Sequence, residues 1–251
     1  KEEIDVASET ISKELKDAIA LAKKNIETFH SKQVSNVAKV ETMPGVVCWR
    51  KSVAIEKVGL YIPGGTAPLF STILMLSIPA KIAGCKEIIL CTPPGKDGKI
   101  NAAILYTANL VGISKIFKTG GAQAIAAMAY GTESVPQVYK IFGPGNQYVT
   151  CAKQLVQKDG VAIDMPAGPS EVCVMADDSA NPTYVAADLL SQAEHGADSQ
   201  VLLVATPDFN MQALQDELAA QLSRLPRNAM AAAALENSTA VVLANIEDML
   251  A

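Results

Sequence analysis

Val58-Gly59-Leu60-Tyr61-Ile62-Pro63-Gly64-Gly65 is a short apolar run closed by a proline and two glycines, and a helical pattern from about Leu69 to Ala83 follows it. A run of this length, stopped by turn residues, reads as a strand at Val58–Ile62. The same unit recurs downstream. Glu87–Cys91 is a strand ended by Pro93-Pro94-Gly95, and a helix at Asn101–Leu110 leads to a strand at Lys115–Lys118. A helix at Gln123–Tyr130 leads to a strand at Val138–Phe142, and a helix follows at Gln147–Gln157. Strands alternating with helices in this order predict a parallel sheet covered by helices.

The pattern restarts after Pro169. Glu171–Ala176, Gln200–Ala205 and Ala240–Ala244 read as strands, and Pro182–Glu194, Met211–Leu222 and Asn228–Leu235 as helices, the first with proline near its start. Ile246–Ala251 begins a further element. Upstream, Ile11, Leu15, Ile19, Ala22, Ile26 and Phe29 form one apolar stripe on a predicted helix from Ser8 to Phe29. The expectation is an α/β protein of two units, with boundaries near Tyr61 and Gly168.

At 251 residues, 49% hydrophobic and 19% charged, the chain has the make-up of a well-packed globular protein. Its net charge of −5 makes neither nucleic acid nor an anionic membrane an obvious partner. No stretch reaches the roughly 18 continuous apolar residues of a membrane span. The five cysteines, Cys48, Cys85, Cys91, Cys151 and Cys173, have no metal-binding spacing and lie mostly in apolar runs. They read as reduced, buried thiols of a cytoplasmic protein.

Three predicted strands end in glycine loops that enter helices: Ile62-Pro63-Gly64-Gly65, Thr119-Gly120-Gly121 and Gly143-Pro144-Gly145-Asn146. Helix N-termini at the carboxyl ends of parallel strands offer free N–H groups and a positive dipole end, which suits a nucleotide or phosphate. A tight strand–helix connection without any ligand also explains each loop taken singly. No strand is followed by G-x-G-x-x-G, so the usual dinucleotide fingerprint is missing. Further on, Gln192 and His195 stand one helical turn apart, with Glu194 beside them. An amide oxygen and an imidazole can share a zinc ion; a half-buried histidine near a helix end fits the bare spacing better.

Several segments together resemble the histidinol dehydrogenase family, the NAD-dependent enzymes of the last step of histidine synthesis. They are Gly59-Leu60-Tyr61-Ile62-Pro63-Gly64-Gly65, Thr119-Gly120-Gly121-Ala122-Gln123-Ala124-Ile125, Gly143-Pro144-Gly145-Asn146, Ile163-Asp164, Ala167-Gly168-Pro169-Ser170-Glu171, Val172–Ala176 and Ser191-Gln192-Ala193-Glu194-His195. The resemblance implies two Rossmann-like parallel-sheet domains, with residues 58–169 as an NAD-binding domain inserted into one built from 1–57 plus 170–251. It implies NAD contacts at Tyr61, Gln123 and Asn146, substrate contacts at Ser170, Gln192 and His195, and zinc held by Gln192 and His195. It also implies a cytoplasmic homodimer oxidising L-histidinol to L-histidine through L-histidinal. In the family, an aspartate and a second histidine complete the zinc shell, and a Glu-His pair supplies the base; all belong to segments beyond Ala251. The chain begins at Lys1 without methionine, so the resemblance implies a fragment, silent by itself and dimerising poorly or differently from the parent. His30 matches no family role and reads as solvent-facing or packed. Two rival readings stay open: a metal-free enzyme of aldehyde dehydrogenase type with Cys151 or Cys91 as nucleophile, and a non-enzymatic nucleotide-binding module.

Overall fold

The computed structural model describes residues 2–34, 36–64, 68–166, 171–197 and 199–250. The chain divides into two compact units, Lys1–Gly168 and Pro169–Ala251. The first unit contains α1 (Glu2–Thr10), α2 (Lys13–Ser31), β1 (Lys39–Met43), β2 (Val46–Trp49), β3 (Lys57–Tyr61) and α3 (Phe70–Ala83). It continues through β4 (Glu87–Cys91), α4 (Ala102–Leu110), β5 (Lys115–Phe117), α5 (Gly121–Tyr130), β6 (Lys140–Phe142), α6 (Gln147–Lys158) and β7 (Ala162–Ile163).

Five of these strands form one parallel sheet in the order β5-β4-β3-β6-β7. Successive side chains on a strand face opposite ways, and both faces of this sheet are buried. Leu60, Leu90 and Phe142 pack into one core with α3 and α4, to which α1 and α2 contribute Ala7 and Ile19. Tyr61, Ile89, Cys91 and Ile141 pack into a second core with α5 and α6. Burial on both faces is why the central strands read as unbroken apolar runs.

The second unit contains β8 (Val172–Ala176), α7 (Pro182–Ala193), β9 (Val201–Ala205), α8 (Met211–Leu222), α9 (Asn228–Glu236), β10 (Thr239–Val242) and α10 (Ile246–Leu250). Its three strands are parallel in the order β10-β9-β8. Val172, Val174, Val201 and Leu203 pack with α7, α8 and α9 on one face. On β8 the opposite face leaves Cys173 and Met175 exposed.

Three features depart from expectation. The single helix expected over Ser8–Phe29 is two, because Ser12 adopts an extended backbone (φ −64°, ψ 154°) and its hydroxyl accepts the Leu15 N–H at 3.2 Å, capping α2. Phe29, assigned to the apolar stripe, is exposed while Ile19 is buried. Residues 39–49 form an antiparallel hairpin, and every residue of its two strands is exposed, so it shows no apolar-in, polar-out alternation. Residues 1–57 pack within the first unit. Here α1 packs on α4 and α2 on α3, so this segment joins residues 58–168 in one unit. The buried stripe of α2 is satisfied by the first sheet's own helix layer.

The cap at Ser12 is testable. Ser12→Ala should destabilise the first unit by about 0.5–2 kcal/mol and Ser12→Gly by only a few tenths. Urea unfolding of the two variants checks the order; equal losses would mean that the hydroxyl does not cap α2.

Candidate functional site

The chain builds β3, β4 and β5 outward in one direction, then returns through α5 to lay β6 on the other side of β3. That reversal makes the carboxyl ends of β3 and β6 the switch point of the sheet, the place where open α/β sheets bind ligands. All three residues expected to contact a cofactor lie along this carboxyl edge. Tyr61 ends β3, Gln123 lies in the first turn of α5, and Asn146 is the N-cap of α6.

At the switch point the backbones touch. Gly143, just past β6, has φ of +132°, and a Cβ there would stand 2.0 Å from the Tyr61 carbonyl oxygen. Only glycine allows that approach. The Tyr61 hydroxyl in turn accepts the Gly121 N–H at 3.0 Å, which ties the α5 loop to the same residue. Gly121 itself has φ of +67°. Tyr61 is 3% exposed. Burial raises its phenol above the usual tyrosine value, partly offset by the Gly121 N–H, so the hydroxyl keeps its proton at neutral pH and remains a donor.

Asn146 is exposed, and its side-chain oxygen accepts the N–H groups of Tyr148 and Val149, each at 3.1 Å. That is the bond pattern of an ordinary helix N-cap. Gln123 is exposed at the open end of α5, whose N-cap, Gly120, makes no side-chain cap bond. A cavity of about 950 Å³ opens beside these loops, lined among others by Pro63, Gly64, Thr92, Pro93, Lys96 and Asn101. Tyr61, Gln123 and Asn146 are not among the described residues lining it. Pro93 stands between the two regions, since a Cβ on Gly64 or on Gly120 would lie 2.4 or 2.5 Å from its ring.

One residue of this edge was missed by sequence reading. Lys153 of α6 is buried, donates to the Gly143 carbonyl at 2.8 Å and pairs with the Asp164 carboxylate. The other Asp164 oxygen accepts the Gly143 N–H at 2.7 Å. A signal existed: Val149, Lys153 and Val156 fall at i, i+4 and i+7, which places the lysine in the buried stripe of α6.

The residues expected at the metal lie in the second unit. Gln192 is in the last turn of α7, but the helix ends at Ala193 and Glu194 is its C-cap. His195 therefore lies just past the helix, a correction to its expected place on it. Its N–H donates to the Gln192 carbonyl at 3.1 Å, and the residue is exposed. Ser170 lies outside the described residues. No cluster of three or more His, Cys, Asp or Glu suited to a metal occurs among the described residues. Zinc sites close with four ligands, so Gln192 and His195 do not make one by themselves.

The cysteines correct a second expectation. Cys91 is buried, Cys85 half-buried, and Cys48, Cys151 and Cys173 are exposed. Desolvation pushes the Cys91 thiol up to about 12, so it stays protonated and unreactive near neutral pH. With iodoacetamide at pH 8, peptide mapping should find Cys48, Cys151 and Cys173 labelled well before Cys91. Labelling of Cys91 at the same rate would show that its surroundings open to solvent.

The family profile described as "Histidinol dehydrogenase" matches residues 1–251. The chain is 66% identical over 249 residues to the histidinol dehydrogenase of Bacteroides thetaiotaomicron, covering 99% of this chain and 58% of that protein. The crystal structure of histidinol dehydrogenase from Elizabethkingia anophelis superposes with a TM-score of 0.94 at 58% identity, over 100% of this chain and 58% of that one. The chain thus spans somewhat over half the length of these relatives. Succinate-semialdehyde dehydrogenase from Burkholderia pseudomallei matches with a TM-score of 0.56 at 17% identity, over 83% of this chain and 43% of that one, a likeness of fold alone.

Proposed function

The chain belongs to the histidinol dehydrogenase family, and on that premise we propose that the protein containing it oxidises L-histidinol to L-histidine through L-histidinal. The first oxidation removes a hydride from carbon and a proton from the hydroxyl of the alcohol; water then adds to the aldehyde, and the second removes a hydride and a hydroxyl proton from that hydrate. NAD, when bound, accepts the hydride; the proton needs a base. The single observation that best supports the cofactor reading is the meeting of Tyr61, Gly121 and Gly143 at the switch point of the first sheet.

In this reading Tyr61, with its retained proton, Gln123 and Asn146 orient the dinucleotide, and the N-termini of α5 and α6 receive its phosphates. A chain with a net charge of −5 offers no general basic field, so local amides and helix ends carry that recognition. Ser170, Gln192 and His195 contact the substrate, and Gln192 and His195 supply two of the zinc ligands. The remaining ligands and the base come from the part of the family's length that residues 1–251 do not span. The working protein is a cytoplasmic homodimer.

Residues 1–251 alone are then silent, because loss of a base costs about 10²–10⁴ in rate and the substrate anchor is incomplete as well. The cysteine-nucleophile reading is weakened at Cys91 by its burial and its high thiol value. The test is histidinol-dependent NADH formation by the full-length protein, with and without a chelator. Turnover is expected, together with loss of bound zinc and at least about a hundredfold less activity in His195→Ala. Turnover blocked by thiol alkylation but indifferent to chelator would establish the cysteine enzyme instead. NAD binding without histidinol turnover would establish the non-enzymatic module.

A further inference from the structure

Lys153 is 1% exposed and is the bulkiest of the fully buried side chains. An ammonium removed from water must be paired and hydrogen-bonded to be tolerated. Its two partners both bear on one residue: it bonds the Gly143 carbonyl directly, and it pairs with Asp164, which holds the Gly143 N–H. Gly143 is therefore gripped by both of its backbone polar groups. It is gripped in a positive-φ conformation, with its backbone pressed against Tyr61.

A buried ion pair is in general poor evidence of stabilisation, since apolar residues of like volume often do as well. Apolar residues could fill this space, but they could not hold an N–H and a carbonyl at once. What the pair adds is a fixed backbone at one glycine. That glycine opens the segment Gly143-Pro144-Gly145-Asn146, which ends at the cap of α6, the helix that carries Lys153. The grip thus closes a short circuit from helix to loop to strand.

We propose that Lys153 and Asp164 are positioning residues for the dinucleotide: by fixing Gly143 against Tyr61, they set the spacing between Tyr61 and Asn146. The proposal rests on the cofactor reading given above. Neither side chain touches the ligand; both act through the Gly143 backbone. Small displacements of positioning groups are costly; in catalysis a misplacement of about 1 Å is enough to lose about a hundredfold in rate.

The experiment uses the full-length protein, with NAD affinity from calorimetry, separate KM values for NAD and histidinol, and thermal midpoints. Lys153→Met and Asp164→Ala should weaken NAD binding by about ten- to a hundredfold and leave KM for histidinol and bound zinc unchanged. Asp164→Asn keeps an oxygen for the Gly143 N–H and should fall between the wild type and Asp164→Ala. This variant also carries the test should Lys153→Met fail to fold. A purely structural pair would lower the thermal midpoint while the folded protein bound NAD normally, and that result overturns the proposal. Tyr61→Phe and Asn146→Ala separate the two ideas. If they weaken NAD binding while the Lys153 and Asp164 variants do not, only the positioning role falls. If they too leave affinity unchanged, the cofactor reading itself is wrong.

Discussion

The first unit is organised around one close approach, the backbone of Gly143 lying against the carbonyl of Tyr61. Two parallel strands must bring their carboxyl ends together at the point where the sheet reverses direction, and any side chain at Gly143 would push them apart. Much of the edge is arranged around that contact. Lys153 and Asp164 hold the glycine from the α6 and β7 side. The Tyr61 hydroxyl reaches the opposite way to the N–H of Gly121 and sets the start of α5. Three loops that are far apart in sequence are thereby locked to one tyrosine.

The two sheets differ in what covers them, and the difference bears on chemistry. The five-stranded sheet has helices on both faces, which leaves its edges as the natural place for a ligand. The three-stranded sheet packs α7, α8 and α9 on one face and exposes Cys173 and Met175 of β8 on the other. Gln192 and His195 sit at the end of α7, one in the last helical turn and one just beyond it. Two donors at a helix end do not close a zinc shell.

Much of the fold was legible because the central strands of the first sheet are buried on both faces and its loops are marked by glycine. Glu87–Cys91 and Met211–Leu222 agree with the structure residue for residue, since an apolar run and an amphipathic repeat leave little choice there. The hairpin at residues 39–49 was not legible, because strands exposed on both faces carry no alternation to read. The break at Ser12 was hidden by an apolar stripe that continues across it, although a serine ahead of a helical repeat is a cap signal. Cys151 and Cys173 escaped because burial of a small residue depends on which face the rest of the fold covers. Lys153 stands in the buried stripe of α6, but the pairing that lets a lysine lie there was hidden. Its partner Asp164 is set by the pairing of β6 with β7, a tertiary fact that no local pattern holds.

On the function proposed above, the dinucleotide is received at the carboxyl edge of the five-stranded sheet, around the Tyr61–Gly143 contact. Hydrogen exchange of the full-length protein, measured by mass spectrometry with and without NAD, tests it most directly. NAD should slow exchange in peptides covering residues 119–124 and 143–149, and leave the amino edge of the same sheet, near residues 57 and 87, unchanged. Protection that spares both loops and appears elsewhere in the chain would place the dinucleotide at another site.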